Sequence, residues 1–378
     1  MRFLRKDKVD KTILVISDIH LGAGAIVNQR RNYLEDFHYD SELVDFLNFY
    51  SSGDYASREV KLIINGDLFD LLAVPFVKYY DDEFWSEDAS LAKLKMILDA
   101  HPEVIKALDD FLIQKKKKIV FIIGNHDAEF VFDSLQKMLL ERLSEESREK
   151  FEFRFDQGEY IPIKGIVLKH GHEYELAHQF DPRECIVEDD DGKRYFLPPW
   201  GSYYVTRIIN KFKEERHWIN GVRPIKNMLI HGFIFDTLYM LRFGLANAYY
   251  FLMVRFITFF KQTKSISDLF KMARKELELW KDYEELTMDE INEREDVLAL
   301  IVGHTHEPVF RTYANGKMFI NTGTWTKMYN MEFGKGGDEA RLTYAIIDVR
   351  YTKNEEPELD IALNLWEGKN KHPFSEFR

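Results

Sequence analysis

The chain has one cysteine, Cys185, in 378 residues. That excludes an internal disulfide and points to a reducing, cytoplasmic setting, where a lone thiol serves packing before chemistry. Uncharged runs are short as well. None approaches the roughly 18 residues expected of a membrane-crossing helix. The charged start, MRFLRKDKVD, leads into the brief apolar run TILVIS and then an aspartate, with no small-residue cleavage site, so no signal segment is expected. Basic charge is also scarce. The 52 Lys and Arg stand against 64 Asp and Glu, a net of −12 with no Lys/Arg-rich stripe. Nucleic-acid partners usually need a basic footprint, so none is expected, although bound metal ions would add local positive charge that composition does not count. Repeats, low-complexity segments and Pro-rich linkers are missing too.

Hydrophobic residues, in contrast, make up 45% of the chain. That is enough to bury the core of one large domain with an elaboration, or of two domains. In the first half, β-branched runs at Thr12–Ser17, Val60–Asn65 and Lys118–Ile123 read as buried strands. They alternate with helical spacing over Asp40–Phe49, Leu91–Gln114 and Asp133–Lys150. Such alternation predicts an α/β sheet with crossovers. Further strands are expected at Glu159–Ile163, Gly165–Lys169, Val297–Val302, Val309–Tyr313, Lys317–Asn321 and Leu342–Val349. Residues 173–295 break the rhythm. They open on an acidic turn, Glu188 to Gly192, and become helical and aromatic, so they read as an insertion between a core of 1–172 and 296–378. Ser265 with Asp268, and Thr287 with Glu290, are expected capping boxes of its last two helices.

Five expected strands end in the same punctuation: Asp18-Ile19-His20, Gly66-Asp67, Gly124-Asn125-His126-Asp127, His170-Gly171 and Gly303-His304-Thr305-His306. Ligands of open α/β sheets bind beyond the carboxyl ends of the strands, so these clusters should converge. Asp18, His20, Asp67, Asn125, His170, His304 and His306 are seven oxygen and nitrogen donors without a thiolate. Such a set suits an open catalytic site more than a structural zinc knot, and it exceeds what one ion accepts. Asp-X-His and His-X-His place two side chains on one side of an extended segment. Two ions sharing a carboxylate, about 3.5–4 Å apart, would clamp both oxygens of an in-line displacement. The bland alternative is a set of separately satisfied polar groups; it competes for any single motif but not for all five.

The ordered set DIH, GD, GNHD, HG and GHTH resembles the calcineurin-like metallophosphoesterase family, over residues of about 12–172 and 297–350. The resemblance implies an α/β fold of two sheets in a sandwich flanked by helices, four layers in all. It implies that Asp18, His20 and His306 hold one divalent cation, Asn125, His170 and His304 a second, and that Asp67 bridges them. Manganese is the first expectation, with iron, zinc, cobalt or nickel as alternatives. The resemblance further implies a metal-bound hydroxide as nucleophile. His126 would protonate the leaving oxygen or grip the phosphoryl group, with Asp127 orienting it. His172 and Asp70 are weighed as supporting residues or merely satisfied polar ones. Arg30 and Arg31 are substrate candidates or solvated loop arginines, and Trp325 is a leaving-group contact or core packing.

Taken as a helix, 229–262 gathers Asp236, Thr237, Asn247, Arg255, Thr258 and Gln262 into one stripe. The rest is apolar apart from His231 and Arg242. Gly232 and Gly244 are expected breakpoints, each costing about 1 kcal/mol against Ala. So broad an apolar arc must be covered. Core packing or a dimer interface is one reading. The other is a cap that receives lipid chains or touches a membrane surface peripherally, with Arg242 meeting an anionic headgroup. The plan is similar to that of UDP-diacylglucosamine pyrophosphohydrolases, and GDLFD matches, but those enzymes commonly carry Arg where His126 stands. The substrate is therefore expected to be a phosphorylated small molecule or a lipid. A nuclease, a protein phosphatase and a non-catalytic scaffold are the alternatives.

Overall fold

Short runs of Val, Ile and Leu, too brief for a helix, pair into two sheets that bury each other. The computed structural model describes residues 9–76, 81–155, 158–223, 230, 232–262, 283–330, 337–339, 341–351 and 357–368. The first sheet contains β1 (Lys11–Ile16), β2 (Glu59–Asn65), β3 (Lys117–Ile122) and β4 (Phe151–Arg154) in parallel. The second contains β5 (Tyr160–Ile163), β6 (Ile166–Leu168), β7 (Ala299–Val302), β8 (Val309–Thr312) and β9 (Met318–Asn321), in the order β8-β9-β7-β6-β5. Two long antiparallel strands, β10 (Thr343–Tyr351) and β11 (Pro357–Leu365), extend the first sheet to the order β11-β10-β1-β2-β3-β4.

Side-chain alternation assigns each face. Ile13 and Val15 of β1 join Ile63, Val120, Ile166, Leu168 and Ile301 in the apolar layer between the sheets. Leu14 and Ile16 point the other way, toward α1 (Asp40–Ser51), α2 (Glu87–Ala100), α3 (Pro102–Ile113) and α4 (Asp133–Glu141). Behind the second sheet, Leu300, Val302 and Phe319 cover Ile291 of α6 (Tyr283–Glu293), which follows α5 (Thr237–Gln262) in the chain. The result is the expected four-layer sandwich.

The structure departs from the sequence reading at several elements. Leu91–Gln114 is two helices because Pro102 lacks an N–H and forces His101 out of helical geometry, at φ −121° and ψ 50°. Asp133–Lys150 breaks at Arg142–Ser144. Thr287 lies buried inside α6 instead of capping it, while Glu290 accepts from Lys169 Nζ at 2.8 Å and Tyr174 Oη at 2.6 Å. Ser265 and Asp268 lie outside the described residues. The acidic turn closes a hairpin of Ile186–Glu188 with Arg194–Phe196. The 229–262 helix breaks at Asp236 rather than at Gly232 or Gly244. Around this helix, buried Phe212, Tyr239, Met240, Phe243 and Tyr250 form a separate apolar cluster.

Candidate metal centre

β1, β2, β3, β6 and β7 end on one rim, and the chain leaves them in an unusual conformation. Asp18, His20, Asp67, His304 and His306 all have φ between 53° and 68°. Non-glycine residues rarely enter this left-handed region, which costs of order 1–3 kcal/mol each and persists only where the surroundings enforce it. Here the loops brace one another: His20 N donates to the Asp67 carbonyl at 2.9 Å, and Asp18 N to that of Gly66 at 3.2 Å. Two motif glycines then supply room. A Cβ on Gly124 would stand 2.1 Å from Asp67 Oδ1, and one on Gly303 would stand 2.4 Å from Asp18 Oδ2.

The expected donors converge. Asp18, His20 and His306 can bring one ligand atom each within 4.8 Å of one another, and so can Asp67, His170 and His304. Asp67 Oδ2 lies 3.7 Å from His20 Nε2 and 3.2 Å from His170 Nε2, so it stands between the two sets. His20 Nε2 and His306 Nε2 face each other at 3.0 Å, and Asn125 Oδ1 is 3.3 Å from His170 Nε2. All of these side chains are buried or nearly so.

Protonation tests whether cations fit. His170 donates its Nδ1–H to the Asn65 carbonyl at 2.7 Å, which turns Nε2 toward two oxygens, Asn125 Oδ1 at 3.3 Å and Asp67 Oδ2 at 3.2 Å. His20 Nδ1 is buried without a hydrogen bond. Protons on these nitrogens, or cations in their place, would satisfy such contacts. The electrostatics agree. Burial pulls the His170 and His20 imidazoles down, but Asp67, Asp70 and Asp18 more than offset it, and the two groups are pushed up to about 10 and about 9. Burial works against the Asp67 carboxylate, yet the surrounding histidines hold it well below its ordinary range. The pocket is a well of negative potential lined with nitrogen donors, as a pair of divalent cations would need.

His126 lies at the mouth, its ring 4.6 Å from that of His20. The expectation that Asp127 orients it is corrected. Asp127 is fully buried and accepts from the backbone amides of Gly124 at 2.6 Å, Leu68 at 2.8 Å and Phe69 at 3.3 Å, holding two loops together. Burial and the neighbouring Asp67 push its carboxyl up to about 7. Asp70 takes the orienting position instead, with Oδ1 2.9 Å from His126 Nδ1 and Oδ2 3.5 Å from His20 Nδ1.

Two residues escaped the sequence reading. Glu175 Oε2 meets His304 Nε2 at 3.1 Å and His178 Nδ1 at 2.8 Å, and all three can converge within 4.8 Å. A carboxylate on the outer nitrogen of a ligating histidine fixes its tautomer. The Glu175/His178 spacing of three, just after His170, was the available signal.

The remaining expectations resolve differently. Trp325 is fully buried against Phe46 and donates Nε1–H to the Thr343 carbonyl, which is core packing. His172 is buried and stacked on Phe180. Arg30 and Arg31 form an exposed two-residue strand; Arg31 also lines a cavity of about 300 Å³ with His38, His217 and Lys327. Arg242 is corrected: its guanidinium makes two bonds to Glu215, at 2.8 and 2.9 Å, so the headgroup assignment loses its basis. His231 and the side chains of Arg255, Thr258 and Gln262 lie outside the described residues.

The chain belongs to the calcineurin-like phosphoesterases, whose family model matches residues 11–308. It is therefore a metal-dependent phosphoesterase. Similar solved structures include a dimetal phosphatase from Danio rerio, at 12% identity and TM-score 0.38, covering 95% of this chain and 100% of that one. YfkN from Bacillus subtilis, a calcineurin-like phosphoesterase, has 12% identity and TM-score 0.35, covering 94% and 91%. Vps29 from Chaetomium thermophilum has 11% identity and TM-score 0.28, covering 94% and 98%. No curated protein matches.

Proposed function

We propose that this chain hydrolyses a phosphate ester or phosphoric anhydride of a small or lipid-linked molecule at a pair of divalent cations. One observation carries the reading: Asp67 Oδ2 stands between His20 Nε2 and His170 Nε2, so a single carboxylate serves two donor sets. Asp18, His20 and His306 would hold one cation, and Asn125, His170 and His304 the other. A nitrogen and oxygen set without thiolate suits manganese first, then iron, zinc, cobalt or nickel. When bound, such ions supply Lewis acidity and lower the pKa of water.

The chain's own groups do the rest. His126 donates Nδ1–H to Asp70, which aims its far nitrogen at the leaving oxygen to grip or protonate it. The 300 Å³ cavity lined by Arg31 and Lys327 also carries Glu35 and Asp36, so its charges are of both signs and it assigns no substrate group. In this reading residues 173–295 cap a core of 1–172 and 296–378. The single Cys185 supports a reducing, cytoplasmic setting. The −12 charge weighs against a nucleic-acid substrate.

Hydrolysis of an aryl phosphate by chelated and manganese-reconstituted protein tests the proposal. Activity should appear with metal and vanish on chelation. A folded protein inert with all five metals, on aryl monoester and diester alike, would refute it.

A further inference from the structure

The outer face of α5 is amphipathic in the wrong sense for a protein in water. Among its described polar side chains, Asn247 faces inward, its Oδ1 accepting from Tyr204 Oη at 2.6 Å, while Thr237 and Arg242 are exposed, Arg242 paired with Glu215. A second set of apolar side chains faces solvent. Phe235 is 73% exposed, Leu238 78%, Leu245 71%, Tyr249 65% and Leu252 66%. At helical spacing Leu238, Leu245, Tyr249 and Leu252 make one stripe of α5, about 21 Å long at 1.5 Å per residue, with Arg242 at its edge. The inner face is already occupied by buried Tyr239, Met240, Phe243 and Tyr250, so the stripe is surplus to the cap's own core.

Charge says what should cover it. Residues 200–264 contain ten Lys and Arg against three Asp and Glu, a net of +7 in a chain whose total is −12. Among the described residues, Arg207 and Lys213 are matched by Asp82 and Asp36 from outside the segment. A second copy laid on this face would bring two positive segments together. An anionic bilayer surface offers both an apolar layer and negative headgroups. No helix among the described residues is long and apolar enough to cross a membrane.

We propose that α5 lies flat in the surface of an anionic lipid bilayer and docks the enzyme there. This extends the catalytic reading without depending on it, because docking requires neither metal nor His126.

Flotation of the full chain with vesicles tests it. Vesicles of phosphatidylcholine with 30% phosphatidylglycerol should carry the protein, pure phosphatidylcholine should carry at least fivefold less, and raised salt should narrow the gap. Replacing Leu238, Leu245 and Leu252 together by Gln should abolish flotation while aryl phosphatase activity is kept. These side chains are exposed, so the fold should tolerate the change; Leu245→Gln alone should weaken flotation in part. Failure to float on anionic vesicles would overturn the proposal. So would a dimer that the triple variant converts to monomer, since a second copy would then be the occupant.

Discussion

Asp67 spends its two oxygens differently. Oδ1 accepts from the His126 amide at 2.8 Å, and Oδ2 faces the two histidine sets. The same division of labour runs through Asp70, shared by His126 and His20. The His126→Ala protein should therefore retain two metal equivalents while turnover of a substrate with a poor leaving group falls about 10²–10⁴-fold, as for a lost general acid. Parallel metal analysis and kinetics check this; an unchanged rate would remove His126 from the chemistry. His172 gives a pH prediction. Burial pulls its imidazole down from 6.5 to about 4. The unfolded chain takes up this proton below about 6.5, the folded chain only below about 4. The group's contribution is therefore full above 6.5 and is lost as pH falls toward 4, by roughly 3 kcal/mol at most. Denaturant melts across that window should be steeper in pH for the parent than for His172→Gln, and parallel profiles would contradict the assignment.

At the scale of elements, the strand ends set the site, and they were the most legible part of the sequence. An apolar run followed at once by Asp, His or Asn marks a buried strand emerging at a polar rim, and seven such donors meet where the five runs end. What the sequence hid was local. Pro102 split a helix whose apolar spacing ran on unbroken, and β11, with alternating charged residues, lacks the apolar run that announced β1. Asp127 was misassigned because adjacency to His126 is not contact: the turn sends its carboxylate to backbone amides and leaves Asp70, 56 residues away, to face the ring. Gly124→Ala should leave the circular dichroism unchanged yet abolish metal uptake, since its Cβ would strike Asp67 Oδ1; normal uptake would show that the loop yields. Glu175→Gln should weaken binding of one metal equivalent about 10–100-fold, read by calorimetric titration, by loosening the imidazole of His304. Equal affinity for both equivalents would deny Glu175 this role.

For the whole molecule, two separate apolar clusters follow from the hydrophobic pattern. Short continuous apolar runs fold into sheets that share one apolar layer, while the aromatic stretch from Trp200 onward folds around its own cluster. The net charge of −12 conceals a positive segment at 200–264, flanked on both sides by acidic ones, which composition alone averages away. Distant parts of the chain fold so that one carboxylate stands between two donor sets, each able to take a cation. Anomalous diffraction from manganese-soaked crystals measures this directly. The account predicts two peaks about 3.5–4 Å apart, flanking Asp67 Oδ2. A single peak, or none among these seven side chains, would contradict it.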